Sequence, residues 1–327
     1  MAGSDRAARI FTVNSADARE ALVIQHAGAV TKVRFHPTQS NQLCTAAADK
    51  SVRLWDVRDG TQRAMGKIDV SKGNSPVALE WCGGKGLSAS DHPHILSLTE
   101  QDGTVFIYDV RKLASANATT SSNALYSYPP VKKDFAESCV FSPDGEYLVA
   151  DCTRYGTGSL RIWPWKSSTG TSKAEQDDTY GDQVVYYPLN GPIYAMKFSP
   201  NRKYLATGGA DAVVGIWETH SMCCTHVVPR HTKFIRGLSF SHDSLILASS
   251  SEEESIDLAN TADGSLIGQV NLSGRASSSS SARGAGGAEE IDFHPKEYLL
   301  ACARIDSPVG PPPSPVTLAK VSVTTAQ

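Results

Sequence analysis

Four short runs carry the side chains that could do chemistry. Cys223-Cys224-Thr225-His226 offers two thiols and an imidazole, but adjacent cysteines lack the spacing of a tetrahedral metal clamp. The run reads instead as an edge strand. His26 and His231 are general bases by residue type. Each stands just before an apolar strand, where a histidine braces a loop against a carboxylate or the backbone. Glu252-Glu253-Glu254 reads as a solvated turn. Trp55-Asp56-Val57-Arg58, with a partial second copy at Tyr108-Asp109-Val110-Arg111, places an arginine two residues after a carboxylate. The chain has no Gly-x-x-x-x-Gly-Lys-Ser/Thr loop, no Gly-x-Ser-x-Gly elbow and no His-Glu-x-x-His pair. The expectation is no catalytic residue, no metal, no cofactor and no small-molecule substrate.

The elements that hold these residues repeat. Val30-Thr31-Lys32-Val33-Arg34-Phe35 alternates and stops at His36-Pro37. Leu43 to Ala47 is a second strand, Ala48-Asp49-Lys50 turns, and Ser51 to Asp56 is a third. The first-strand ending recurs at Phe35, Trp81, Phe141, Phe198, Phe240 and Phe293, with spacings of 46, 60, 57, 42 and 53 residues. Asp49 precedes Trp55 by six residues, as Asp102 precedes Tyr108 and Asp211 precedes Trp217. An aspartate in a tight turn accepts backbone N–H bonds. The aromatic then falls on the next strand, where it packs between sheets. Short strands with evenly spaced turns and no long helical pattern predict radial repetition of an all-β blade.

His26, Asp49 and the Trp55-Asp56 ending resemble the histidine, turn aspartate and Trp-Asp signature of a WD repeat, and Asp102, Tyr108, Asp211, Trp217 and His231 fill matching positions. The resemblance implies one propeller domain over residues 1–327. Near His231 the turn is Glu252-Glu253-Glu254 and Ala259 stands where the tryptophan would be, so that copy is expected to lack the Asp-to-His bracing and to form a softer blade. Full blades start near His26, Asn74, Val131, Asn190, His231 and Gly287. Gly3 to Phe11 resembles a turn and third strand, and Val316 to Val321 a third strand. This reads as a seven-bladed ring, N-terminally incomplete, with its closing strands missing; a six-bladed ring closed by the N-terminal hairpin is the alternative. Segments 113–130, 167–182, 273–288 and 306–315 are rich in Ser, Thr, Gly or Pro and are expected to be flexible insertions.

Composition narrows the partners. The 327 residues carry a net charge of −3, which disfavours a domain built mainly to grip nucleic acid. Seven scattered cysteines suggest no disulfide framework and favour a reducing compartment. No run reaches the roughly 20 apolar residues of a membrane helix, so no membrane association is expected.

Two further resemblances bear on function. Trp55-Asp56-Val57-Arg58 resembles the Trp-Asp-x-Arg box of substrate receptors that dock on cullin-RING ubiquitin ligases, which makes Arg58 a candidate protein contact. The run from Lys203 to Trp217, then Ile235 to Asp243, and above all Ser255-Ile256-Asp257-Leu258-Ala259, resembles the WD-repeat subunit of THO complexes, the machinery coupling transcription to mRNA export. That resemblance implies a non-catalytic nuclear scaffold, with the other subunits of a THO/TREX-like complex as partners and RNA contacted indirectly or through flexible loops. Tyr194, Phe234 and Arg236 open inner strands and are the candidate protein-binding residues.

Overall fold

In the computed structural model the described residues form short strands joined mainly by polar turns. The structure describes residues 2–14, 17–58, 63–71, 73–83, 93–113, 118–119, 124–128, 136, 138–154, 156–164, 184–189, 191–272, 287–304 and 316–321. They fall into two compact units, one of Met1–Thr12 with Arg19–Tyr187, the other of Val13–Ala18 with Pro188–Gln327. No α-helix occurs among the described residues; Val110–Lys112 makes a single 3-10 turn.

β1 (Ala7–Asn14), most of it in the first unit, pairs with β2 (Asp17–Gln25). One blade runs β3 (Val30–Phe35), β4 (Gln42–Ala47), β5 (Ser51–Asp56), β6 (Arg63–Asp69). The next has β7 (Pro76–Trp81), β8 (Ile95–Glu100) and β9 (Val105–Asp109). Of the following two strands, β10 (Ala118–Thr119) adds in parallel to β6, and β11 (Tyr126–Tyr128) pairs with β9. The third blade is β12 (Cys139–Phe141), β13 (Tyr147–Arg154), β14 (Thr157–Pro164) and β15 (Val184–Leu189), the unit boundary falling within β15.

The second unit holds two four-stranded blades and one of three strands. They are β16 (Ile193–Phe198), β17 (Tyr204–Gly209), β18 (Val214–Glu218), β19 (Cys223–Val228); β20 (Ile235–Phe240), β21 (Ile246–Ser251), β22 (Ser255–Asn260), β23 (Leu266–Asn271); and β24 (Ala288–Phe293), β25 (Leu299–Arg304), β26 (Val316–Lys320).

Six blades result among the described residues, and the expectation of seven is overturned. The N-terminal strands, matched to a turn and third strand by Asp5 and Phe11, form a two-stranded sheet of their own. Asp5 accepts the N–H of Ala7 at 3.3 Å, a local turn bond that any tight β-hairpin can use. β24 to β26 make a separate blade rather than part of a seventh. Segments 167–182 and 306–315 lie outside the described residues, as do residues 273–286 of the third insertion. Of segment 113–130, residues 118–119 and 126–128 are the strands β10 and β11.

Within each unit, consecutive blades bury their faces on each other. Val52 and Leu54 pack with Leu79, Leu98 and Tyr108, and Ile107 packs with Phe141, Leu148 and Trp163. In the second unit Ile216 and Val228 meet Leu238 and Phe240, while Ile256 and Leu258 meet Ile291, Phe293 and Leu300. Middle strands are therefore covered on both faces, and every residue of β8, β9 and β21 is buried. The turns after the first strands share one device. Ser142, Ser199 and Ser241 donate to Asp144, Asn201 and Asp243, and each accepts a backbone N–H five residues on. In the first blade His36 does this work, its Nδ1 accepting from the N–H groups of Thr38 and Gln39 at 3.3 and 3.1 Å.

Candidate interaction surface

The repeat residues brace blades. The Thr45 hydroxyl accepts the Trp55 indole N–H at 2.9 Å and lies 2.9 Å from His26 Nε2. Trp217 donates to Thr207 at 3.0 Å in the same way. Asp49 lies 3.6 Å from His26 Nδ1 and accepts from Ala27, Ser51 and Arg53. Burial holds the His26 pKa below its ordinary value, so the imidazole is a neutral strut near pH 7. Asp102 accepts from the Thr104 N–H and from Asn74, and Asp211 accepts from the Val213 N–H. Tyr108 is fully buried.

The blade expected to be unbraced is braced by Glu253. Its carboxylate lies 3.0 Å from His231 Nδ1 and accepts the Thr232 N–H at 3.0 Å. His231 Nε2 lies 2.8 Å from the Ser249 hydroxyl, the partner Thr45 provides to His26. Glu253 stands six residues before Ala259, as Asp49 stands six before Trp55. That spacing was the signal in the sequence. The triple-glutamate turn hid it because the motif names only aspartate.

Asp257, on the middle of β22, is 1% exposed; its sequence drew notice only as part of the Ser255–Ala259 run, not for a role of its own. Arg230 grips it in two-pronged fashion at 3.1 and 2.6 Å and donates its other arm to the Gly264 carbonyl at 2.9 Å. Cys223 and Cys224 sit exposed on β19, the outermost strand of its blade, and all seven cysteines are free thiols.

Tyr194, Phe234 and Arg236 come together. The guanidinium of Arg236 sits 4.9 Å from the centroid of the Tyr194 ring and 5.6 Å from that of Phe234. The two rings are 6.0 Å apart. Glu252 holds the same guanidinium at 2.6 Å. The backbone explains the convergence. Register slips by one residue at Tyr194 in β16, at Arg236 in β20 and at Glu289 in β24. Each slip is a bulge at the second residue of an inner strand, and a bulge re-aims its side chain. β16, β20 and β24 are neighbours, so three re-aimed side chains stand in a row. Phe234 remains 42% exposed, a large apolar ring open to solvent.

Arg58 lies in the first unit. Its Nε bonds Asp56 at 2.9 and 3.0 Å, and Arg58 holds that carboxyl well below the usual range. Arg111 repeats the arrangement on Asp109, at 2.9 and 2.7 Å.

Comparison with known proteins agrees with this architecture. The family described as WD domain, G-beta repeat matches residues 20–56, 184–218 and 222–266. THO complex subunit 3 of Arabidopsis thaliana is 25% identical over 305 residues, 92% of this chain and 81% of that protein. Mitotic checkpoint protein bub-3 of Caenorhabditis elegans is 25% identical over 232 residues, 68% of this chain and 59% of that protein. WD repeat-containing protein AAC3 of Dictyostelium discoideum is 23% identical over 218 residues, 67% of this chain and 39% of that protein. Three WD repeats are thus recognised in the chain, at residues 20–56, 184–218 and 222–266.

Proposed function

We propose that this WD-repeat protein is a non-catalytic scaffold subunit of a THO-like nuclear assembly, engaging protein partners through the Tyr194–Phe234–Arg236 surface. The observation that carries the docking surface is the exposed Phe234 ring beside a guanidinium fixed by Glu252. Aromatic and arginine anchors whose positions are set before binding lose little side-chain freedom on association. The likeness to THO complex subunit 3 over 92% of the chain supports the choice of assembly and of the nucleus, and the role in mRNA export is the one that resemblance implies. Affinity purification of the full chain from its own cells, with and without RNase, tests this. THO subunits should be recovered in both, and Arg236→Glu should deplete them. Recovery that depends on RNA overturns the scaffold reading.

A second reading rests on Arg58. Its guanidinium is pinned to Asp56 while its side chain stays 69% exposed, a pose suited to contact with a cullin-RING ligase adaptor. Arg58→Ala should then abolish adaptor binding, and unchanged binding removes the idea.

A further inference from the structure

We propose that the surface around Tyr194 and Phe234 takes a basic peptide segment, one that presents arginine or lysine side chains to it. This rests on the docking role given to that surface above and names the chemistry of its partner. A guanidinium is recognised by aromatic faces and a carboxylate together. The surface already holds one in this way: Arg236 lies over both rings with Glu252 as its counter-ion. The internal arginine uses one carboxylate and leaves others. Glu289, the re-aimed residue of β24, is exposed, and so is Glu254 in the turn between β21 and β22. Neither meets a cation within ion-pair range among the described residues.

The other charged groups here already have hydrogen-bond partners, and each keeps its charge. Glu253 is bound to His231 and Thr232, and the Lys233 ammonium is turned onto the Glu252 carbonyl at 3.2 Å. Gly287 packs against the backbone of Ser251 and Glu252, which sets the start of β24 beside the same turn. What faces solvent here is therefore an apolar ring, Phe234, together with the exposed carboxylates of Glu254 and Glu289. Among the described charged side chains Lys233, Arg236, Glu252, Glu253, Glu254 and Glu289 there are four carboxylates against two cations. That field attracts cationic side chains and repels phosphates, so it disfavours RNA at this surface. The occupant is a basic, extended peptide rather than an acidic one.

Fluorescence anisotropy with the full chain tests this, using a labelled ten-residue Arg-Gly peptide, its Glu-Gly counterpart and a ten-nucleotide single-stranded RNA. Only the Arg-Gly peptide should bind, more weakly as salt rises. Phe234→Ala should weaken it by about fivefold. Glu254→Lys with Glu289→Lys, both exposed and so harmless to folding, should weaken it by about tenfold or more. Equal binding of the Glu-Gly peptide or the RNA, or indifference to the charge reversal, overturns the proposal. Loss of THO-type partners on Arg236→Glu without Arg-Gly binding would sink this inference alone and leave the scaffold reading standing.

Discussion

Removing the carboxylate of Glu253 should destabilise the chain by about 2 kcal/mol, and the size of the effect should depend on pH. Burial by itself would raise the Glu253 pKa. The Thr232 N–H and hydroxyl and the His231 ring outweigh it and bring the value from 4.5 down to about 2. At about 1.4 kcal/mol per pH unit that gap corresponds to ~3 kcal/mol of preference for the folded state. The side chain is 22% exposed, and water screens part of the interaction, which brings the expected contribution to about 2 kcal/mol. A carboxyl with a depressed folded pKa stabilises fully above its unfolded value of 4.5. It loses that contribution as pH falls through about 2. Urea unfolding of wild type and Glu253→Ala at pH 7, 4.5 and 3 reads this directly: a gap of about 2 kcal/mol at pH 7 should narrow steadily towards acid. Glu253→Gln, which keeps the shape and loses the charge, should fall between the two at pH 7. A Glu253→Ala variant within about 0.5 kcal/mol of wild type at pH 7 would refute the bracing role, as would a gap that does not narrow in acid.

Three further outcomes follow from the same geometry. Burial, aided by the neighbouring charge of His94, lowers the His36 pKa from 6.5 to about 4, so its stabilisation is complete above pH 6.5 and is lost as pH falls through about 4. His36→Asn, which can still accept the Thr38 and Gln39 N–H groups, should flatten the acid loss between those pH values by up to ~3 kcal/mol, measured by thermal melting. Asp257→Ala leaves Arg230 charged and uncompensated and should cost about 3 kcal/mol by urea unfolding, with Arg230→Met in the same chain recovering part of it. Trp217→Phe removes the indole N–H from the buried Thr207 hydroxyl and should cost about 2 kcal/mol by the same assay, and an unchanged midpoint would count against that bond.

The blade pattern was legible in the sequence because it rests on local chemistry. The six Phe or Trp endings mark six first strands, and the described residues form six blades. The error of a seventh came from treating Asp5 and Phe11 as half a blade, when a turn aspartate serves any β-hairpin. That Tyr194, Phe234 and Arg236 open inner strands was readable in the sequence; their convergence was not, because it depends on bulges. Nor was the role of Glu252 as counter-ion, since it too depends on a bulge that no residue type announces.

What the sequence concealed most is how the blades tie in the segment entering each inner strand. Ala27, Ser71, Ser138 and Thr232 each donate a backbone N–H to a carboxylate, and the four carboxylates are Asp49, Glu100, Asp151 and Glu253. Asp49 and Glu253 come from the turn before the third strand. Glu100 comes from the end of β8, and Asp151 from the middle of β13. The requirement is physical: a backbone N–H at the edge of a buried sheet needs an acceptor, and a carboxylate is the strongest available. Several positions around the entering segment lie within reach, so the demand fixes the acceptor and leaves its place in the chain free. A motif keyed to one aspartate therefore finds the blade at His26 and misjudges the one at His231, although both are tied in the same way.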